Sequence, residues 1–405
     1  MAPAVRARLA AIDLGPWLAP VVVYLAIRAV GVLVLVRFDV LHGFTLGDSL
    51  SAWDGEWMLA IAEHGYAGVP VELTDAQGIH TADTAYAFFP GYPYAVGWLA
   101  RLPLVSPFAA AIGFNLVLGC LAAVGTARLG EQCARLMATR SSEPLADGAD
   151  HRTGLVLVAI FAATPMSIVL TMAYTEALFC ALSVWALVGV LRQRWILAGG
   201  CAALVGMVRP TAIVVIGIVV VAAVLHLVAA ARSATTRAWL KDWAWAAIMV
   251  SPLGYLGYLS VVWAHTGSPT GWFTIQTQGW DTEFDGGAAA FDFVNSMLVN
   301  SGEVAPVVTS WMIVGTLVLI GVAAWARVPW PVFGYGTLVV ASVVLSSGLM
   351  MSRPRLLLPA FVLLLPLAVL LARARPAAAV AALTPIIIGS AWYGAHMLTV
   401  YPHAI

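Results

Sequence analysis

Residues 17–36 are an almost unbroken apolar run, and comparable runs of about 17–23 residues recur along the rest of the chain. At about 1.5 Å of rise per helical residue, each can cross most or all of the roughly 30 Å hydrocarbon layer of a bilayer. That length restricts the fold, because a segment in lipid must satisfy its own N–H and C=O groups, and only helices and closed barrels do so. A barrel strand would alternate polar and apolar residues over about ten positions, whereas these runs are continuous and rich in Leu, Val and Ala. The expected fold is an all-α polytopic membrane protein. With 61% hydrophobic and 10% charged residues among 405, the chain is far too apolar for a soluble fold of that size.

Charge and cysteine usage exclude several functions. The formal net charge is zero, so there is no general electrostatic case for nucleic acid, and no nucleic-acid-binding motif occurs. Lys241 is the only lysine, so positive charge is read through arginine. Cys120, Cys180 and Cys201 fall in predicted helices and Cys133 in a predicted cytoplasmic loop, with no CxxC or comparable metal spacing. His80 and Asp83 lack ligand spacing with Asp54 or Asp48, so no metal cofactor is expected, with a divalent cation left open. Arg6 and Arg8 precede a first run that lacks a small-residue cleavage site, and it reads as a retained helix.

Eleven spans are predicted, at about 17–36, 106–128, 154–171, 175–191, 195–208, 211–230, 243–263, 304–326, 330–349, 356–372 and 376–396. If they alternate, Arg6/Arg8, Arg128/Arg135/Arg140/Arg152, Arg192/Arg194, Arg232/Arg237/Lys241, Arg327 and Arg373/Arg375 share one side, which the positive-inside rule assigns to the cytoplasm. This parity requires 88–104, which contains three prolines, to be re-entrant or interfacial rather than a span. The chain then reads as one integral membrane domain, 1–405, in the cell membrane, with two long extracytoplasmic segments, 37–105 and 264–303. The 129–153 segment reads as a solvated cytoplasmic linker. No inverted repeat of the transporter type is visible.

The polar stretch 52–66, AWDGEWMLAIAEHGY, directly follows the first span. Trp53, Trp57, Ala60, Ile61 and His64 recur at three- and four-residue steps, predicting a short amphipathic helix in the membrane interface. Asp54 falls in its first turn, where the helix dipole favours an ionised carboxylate. Such a group serves either as a general base for a hydroxyl or as a solvated helix-start residue. Arg28 lies two turns into the first span and needs a partner, for which a structural pair with Glu176 is the leading expectation. Arg209, Arg353 and Arg355 map to the extracytoplasmic ends of helices, where the positive-inside rule would not put them. Phe88, Phe89, Tyr92 and Tyr94, with Pro90 and Pro93, form a rigid aromatic turn, read as a headgroup anchor or a pocket wall; Trp272, Trp280 and Asp281 are candidates to cover it.

The residues of 52–66, together with AYAFFPGYP at 85–93, resemble the WD…IA-x-x-GY…FFP-x-x-P signature in the first luminal loop of the PIG-V-like mannosyltransferases. These are GT-C-type glycosyltransferases that use polyprenyl-phosphate-linked sugars. The similarity is looser at YTEALF (174–179), VRPT (208–211) and SRPR (352–355), and the 67–84 spacer departs from the usual form. The resemblance implies a GT-C-type bundle and inverting transfer of a hexose, mannose above others, from a polyprenyl-phosphate donor to a hydroxyl of a lipid, glycan or protein acceptor. It implies Asp54 as catalytic base. Glu63, His64 and Tyr66 would position acceptor or donor, Glu176 would line the site, and Arg209, Arg353 and Arg355 would meet the donor phosphate, whose oxygens match a guanidinium fork. Two rival readings are a lipid or glycan transporter and a non-catalytic membrane subunit of an envelope assembly complex. The first would want charged residues lining mid-membrane helices, which apart from Arg28 and Arg209 the chain lacks.

Overall fold

The computed structural model describes residues 15–141, 146–233, 240–401 and 403; Arg6, Arg8 and Arg237 lie outside them. No β-strand occurs among the described residues. In chain order the helices are α1 (Gly15–His42), α2 (Leu46–Ser51), α3 (Asp54–His64), α4 (Gly91–Leu99), α5 (Pro107–Ser141), α6 (Ala149–Ala162), α7 (Glu176–Leu191), α8 (Trp195–Val205), α9 (Ala212–Ser233), α10 (Ala244–Val250) and α11 (Leu253–Thr266). They continue as α12 (Gly271–Trp280), α13 (Ala288–Asn300), α14 (Val304–Trp325), α15 (Trp330–Val344), α16 (Arg353–Leu357), α17 (Leu365–Arg373) and α18 (Pro376–Thr399). Among the described residues seven segments are long and apolar enough to cross a membrane: Gly15–His42, Pro107–Arg140, Ala212–Arg232, Ala244–Thr266, Val304–Trp325, Met350–Arg373 and Pro376–Thr399. The protein is thus an all-α multi-pass membrane protein. The exposed face of α1 carries Leu18, Val22, Leu33 and Val40, an apolar surface suited to lipid and unsuited to water.

Proline sets the breaks in the apolar runs. The predicted span 154–171 stops as a helix at Ala162, because Pro165 disfavours helical geometry at Thr164 and has no N–H to donate; an irregular stretch follows, with a 3-10 turn at Ser167–Leu170. Pro252 divides α10 from α11, and Pro354, Pro359 and Pro366 accompany the change from α16 through a 3-10 stretch at Leu358–Leu364 to α17. The 88–104 region forms only the nine-residue α4, about 14 Å long and too short to span.

The linker expectation fails. Residues 129–141 do not form a solvated linker, because α5 continues through them to Ser141. Leu129 and Cys133, one helical turn apart, are fully buried, so Cys133 is a core residue rather than a loop thiol. Glu131 is buried too, 3.2 Å from Arg128 and 3.1 Å from His151. The charges of this extension face α6, on which it packs and where Arg135 also pairs with Asp150 at 2.6 Å.

That packing is close because both helices carry glycine at the crossing. A Cβ on Gly154 would stand 2.6 Å from the Ala127 carbonyl oxygen, and one on Gly130 would stand 3.0 Å from Gly154 Cα. Further along, Tyr24 of α1 stacks on Phe161 at 6.1 Å, and Phe161 meets Phe361 at 4.7 Å. Gly154→Ala is expected to force α5 and α6 apart and destabilise by about 1–3 kcal/mol. Thermal unfolding in detergent checks this, and a midpoint equal to wild type would contradict the crossing geometry.

Candidate active site

Asp54 is the first residue of α3, preceded by Trp53 at φ 54°, ψ −114°, a region that non-glycine residues rarely occupy. Its side chain retains 31% exposure, and Oδ2 lies 2.6 Å from Arg355 Nη1. The same Nη1 is 3.9 Å from Glu176 Oε1, and Arg209 Nη2 approaches that oxygen at 3.1 Å. Four residues singled out from the sequence therefore meet in one cluster of two carboxylates and two guanidiniums whose formal charges cancel. They arrive from the start of α3, the start of α7, the α8–α9 break and α16.

The cluster is deeply set. Glu176 is 0% exposed, and neither of its carboxylate oxygens has a hydrogen-bond partner among the described residues. The 3.1 Å approach of Arg209 is thus too oblique for a hydrogen bond and acts through charge. Arg355 Nε is buried and unpartnered as well. Buried polar groups are seldom left open in this way, and a polar ligand would complete them. The Arg355 guanidinium also lies over the Tyr174 ring at 5.1 Å, and Arg209 over Phe179 at 5.5 Å. Burial, followed by the neighbouring Asp54 charge, pushes the Tyr174 phenol well above its usual range, so it stays protonated and donates to the Ala52 carbonyl at 3.1 Å.

The irregular stretch between α6 and α7 carries Tyr174 and Glu176 to Asp54, and its backbone is tied down at each step. Arg28 donates through Nε to Thr171 Oγ1 at 3.3 Å and through Nη1 to Ser167 Oγ at 2.6 Å and Ala162 O at 3.2 Å. Asn115 Nδ2 reaches the Met172 and Tyr174 carbonyls, the latter at 3.1 Å. The Ala173 N–H donates to Leu50 O at 2.9 Å, joining the stretch to the residues just before α3. Arg28 consequently does not pair with Glu176 as expected. It serves the carbonyl end of α6, where the helix dipole is negative and the broken helix leaves acceptors open.

The remaining candidates lie elsewhere. Glu63 and His64 are exposed at the far end of α3, about 14 Å along its axis from Asp54, with His64 Nε2 3.9 Å from Glu63 Oε2. Tyr66 donates to Phe88 O at 2.8 Å and stacks on Tyr86 at 4.5 Å; burial pushes its phenol well up. Arg353, two residues from Arg355, turns to the end of α15 and donates to the Val343 carbonyl and, at 2.6 Å each, to the Ser346 and Ser347 carbonyls. Asp48 caps α2 through Thr45, Asp83 meets His265 at 2.9 Å, and His80 Nδ1 meets Leu73 O at 2.6 Å. Among the described residues no cluster of three or more His, Cys, Asp or Glu side chains suits a metal ion.

The two polar segments pack together beside the cluster. Trp57 stacks on Phe88 at 5.2 Å, and Trp280 closes edge-on against both, at 6.3 Å and 5.7 Å. Trp272 meets Phe89 at 5.6 Å, and Gln276 Nε2 donates to Ala87 O at 3.1 Å. A cavity of about 390 Å³ is lined by Tyr66, Tyr86, Tyr94, Tyr258 and Met207, the last two positions before Arg209. Tyr174 and Asn115 are the residues that sequence reasoning missed. Tyr174 stands two positions before Glu176 in a stretch already singled out, while Asn115 is an isolated amide inside an apolar run. In comparison with known proteins, no protein-family model matches the chain and no curated protein matches it.

Asn115→Leu removes the donor facing two buried carbonyls, for which about 1–3 kcal/mol of stability is expected to be lost. A detergent unfolding midpoint that does not fall would show that the Met172 and Tyr174 carbonyls find other partners.

Proposed function

We propose that this chain is a GT-C-type inverting glycosyltransferase of the cell membrane, which moves a hexose, mannose by its motif, from a polyprenyl-phosphate donor to an acceptor hydroxyl on a lipid, glycan or protein. In this reading the chain makes eleven passes, the seven long segments and four more at 154–171, 175–191, 195–208 and 330–349 that are helical in part or whole, and the Asp54 cluster faces the extracytoplasmic side. The observation that carries the reading is the quartet around the fully buried Glu176, in which Arg355 joins Asp54 at 2.6 Å and, at 3.9 Å, Glu176, with donors and acceptors left open.

In this reading the acceptor oxygen attacks the anomeric carbon of a β-linked sugar. Its bond to the phosphate oxygen breaks, that electron pair stays on the phosphate, and the product carries the inverted α linkage. The hydroxyl proton goes to Asp54, general-base catalysis of a kind that contributes about 10²–10⁴-fold. A donor phosphate competes for Arg355 and so draws it from the carboxylate, which couples donor binding to release of the base. The departing polyprenyl phosphate gains one negative charge, and Arg355 and Arg209 offset it in a site shielded from water. Phosphate is a good leaving group, so charge stabilisation suffices without a proton donor. Glu176 holds the two guanidiniums near each other against their repulsion. The tyrosine-lined cavity beside Met207 gives the prenyl chain an apolar wall.

Asp54→Asn preserves size and removes the proton acceptor. Transfer of radiolabelled mannose from polyprenyl-phosphate mannose is expected to fall at least about 100-fold while the protein stays monodisperse; unchanged turnover sinks the assignment. Arg355→Lys keeps the charge and loses the fork, and is expected to raise the donor KM about tenfold or more. A KM equal to wild type would remove Arg355 from phosphate binding.

A further inference from the structure

A second cavity, of about 760 Å³, lies at the end of α8 away from Arg209, and its size suits a small-molecule site. Arg194, Trp195 and Ile196 line it from the α7–α8 turn, His226 from α9, and Asp242 and Trp243 from the start of α10. The wall is built rather than incidental. Trp195 is buried and its ring stands 5.1 Å from His226, whose Nε2 is 2.8 Å from Asp242 Oδ2; Asp242 Oδ1 accepts the Ala244 N–H at 2.9 Å. Burial opposes ionisation of Asp242, but the Ala244 N–H and His226 outweigh it and hold its carboxyl below the usual range. Gln193 adopts φ 53°, unusual for a residue with a side chain, and the Arg194 N–H is fixed to Gly189 O at 2.8 Å.

The polar groups that line this cavity have opposite signs and come from different helices. The Arg194 side chain has no ion pair or hydrogen bond among the described residues, and it adds to a positive region with Arg192 and Arg128. Asp242 lines the same cavity as two indoles, the buried Trp195 and Trp243, which is 64% exposed. A carboxylate sharing a cavity with aromatic rings suits an ammonium, and an unpaired guanidinium suits a phosphate. The exposed Trp243 and Ile196 give the mouth an apolar lip of the kind found where acyl chains meet headgroups.

We propose that this cavity binds the headgroup of an aminophospholipid, with its phosphate on Arg194 and its ammonium between Asp242 and the indoles of Trp195 and Trp243. The site is independent of the sugar-transfer reading. It is tested by native mass spectrometry of the full chain in detergent, offered equal amounts of dioleoyl phosphatidylethanolamine and dioleoyl phosphatidylglycerol. Wild type is expected to retain one ethanolamine lipid in about tenfold preference, and Arg194→Ala to lower retention of both about tenfold. Asp242→Asn keeps an oxygen for the Ala244 N–H and is expected to bring ethanolamine lipid down to the glycerol level. Mannose transfer should be unchanged in both variants, so failure here and failure of the transferase reading are separable. Equal retention of the two lipids by wild type, or wild-type retention by Arg194→Ala, overturns the proposal.

Discussion

Arg355 reaches Asp54 at 2.6 Å from near the other end of the chain, and within the same buried space it answers Glu176 at 3.9 Å. Removing charges from water is expensive, and a buried pair is tolerable only when its partners are in place. Arg209 completes the balance on the other side of Glu176. The cluster is therefore interdependent: deleting Arg209 or Arg355 leaves the fully buried Glu176 short of compensating charge. The meeting of α3, α7, α16 and the α8–α9 break is fixed by this balance as much as by apolar packing.

Broken helices make that meeting feasible. A continuous helix in lipid satisfies its own backbone, whereas an interrupted one leaves N–H and C=O groups that the protein must serve. Pro165 opens the stretch that delivers Tyr174 and Glu176; Pro210 follows Arg209; Pro354 lies between Arg353 and Arg355. Each break requires donors for the freed carbonyls. Arg28 serves the end of α6, Asn115 the Met172 and Tyr174 carbonyls, and Arg353 the end of α15. The arginines thus divide into two sets: Arg28 and Arg353 hold the backbone that carries the site, and Arg209 and Arg355 meet carboxylates and remain placed for a ligand anion.

Much of the site was legible because charge stands out in so apolar a chain. Asp54, Glu176, Arg209 and Arg355 were visible as polar residues at helix ends, each in need of a partner, although the same need had suggested Arg28 for Glu176. The same motif also contained Glu63, His64 and Tyr66, which α3 carries away from Asp54 along its axis, a displacement that residue type does not reveal. Arg353 and Arg355 read alike in a SRPR string, yet one serves carbonyls and the other a carboxylate, since side-chain direction depends on the break they straddle. Residues 129–141 misled by composition: a helix with one charged face has the residue content of a linker, and only the burial of Leu129 and Cys133 distinguishes them.

The sequence by itself determined the solvent and the class of fold, because apolar length and the hydrogen-bonding demands of the backbone in lipid leave helices as the only answer to unbroken runs of this kind. Proline marks where a helix can break, but Pro20 and Pro385 lie inside continuous helices, so the sequence left open which prolines break one. Tertiary structure alone decided which charges meet, which arginine caps and which pairs, and that Tyr174 and Asn115 belong to the site. Those choices depend on distances between segments far apart in the chain, where Coulomb attraction and hydrogen-bond geometry act over a few ångströms and no local pattern records them.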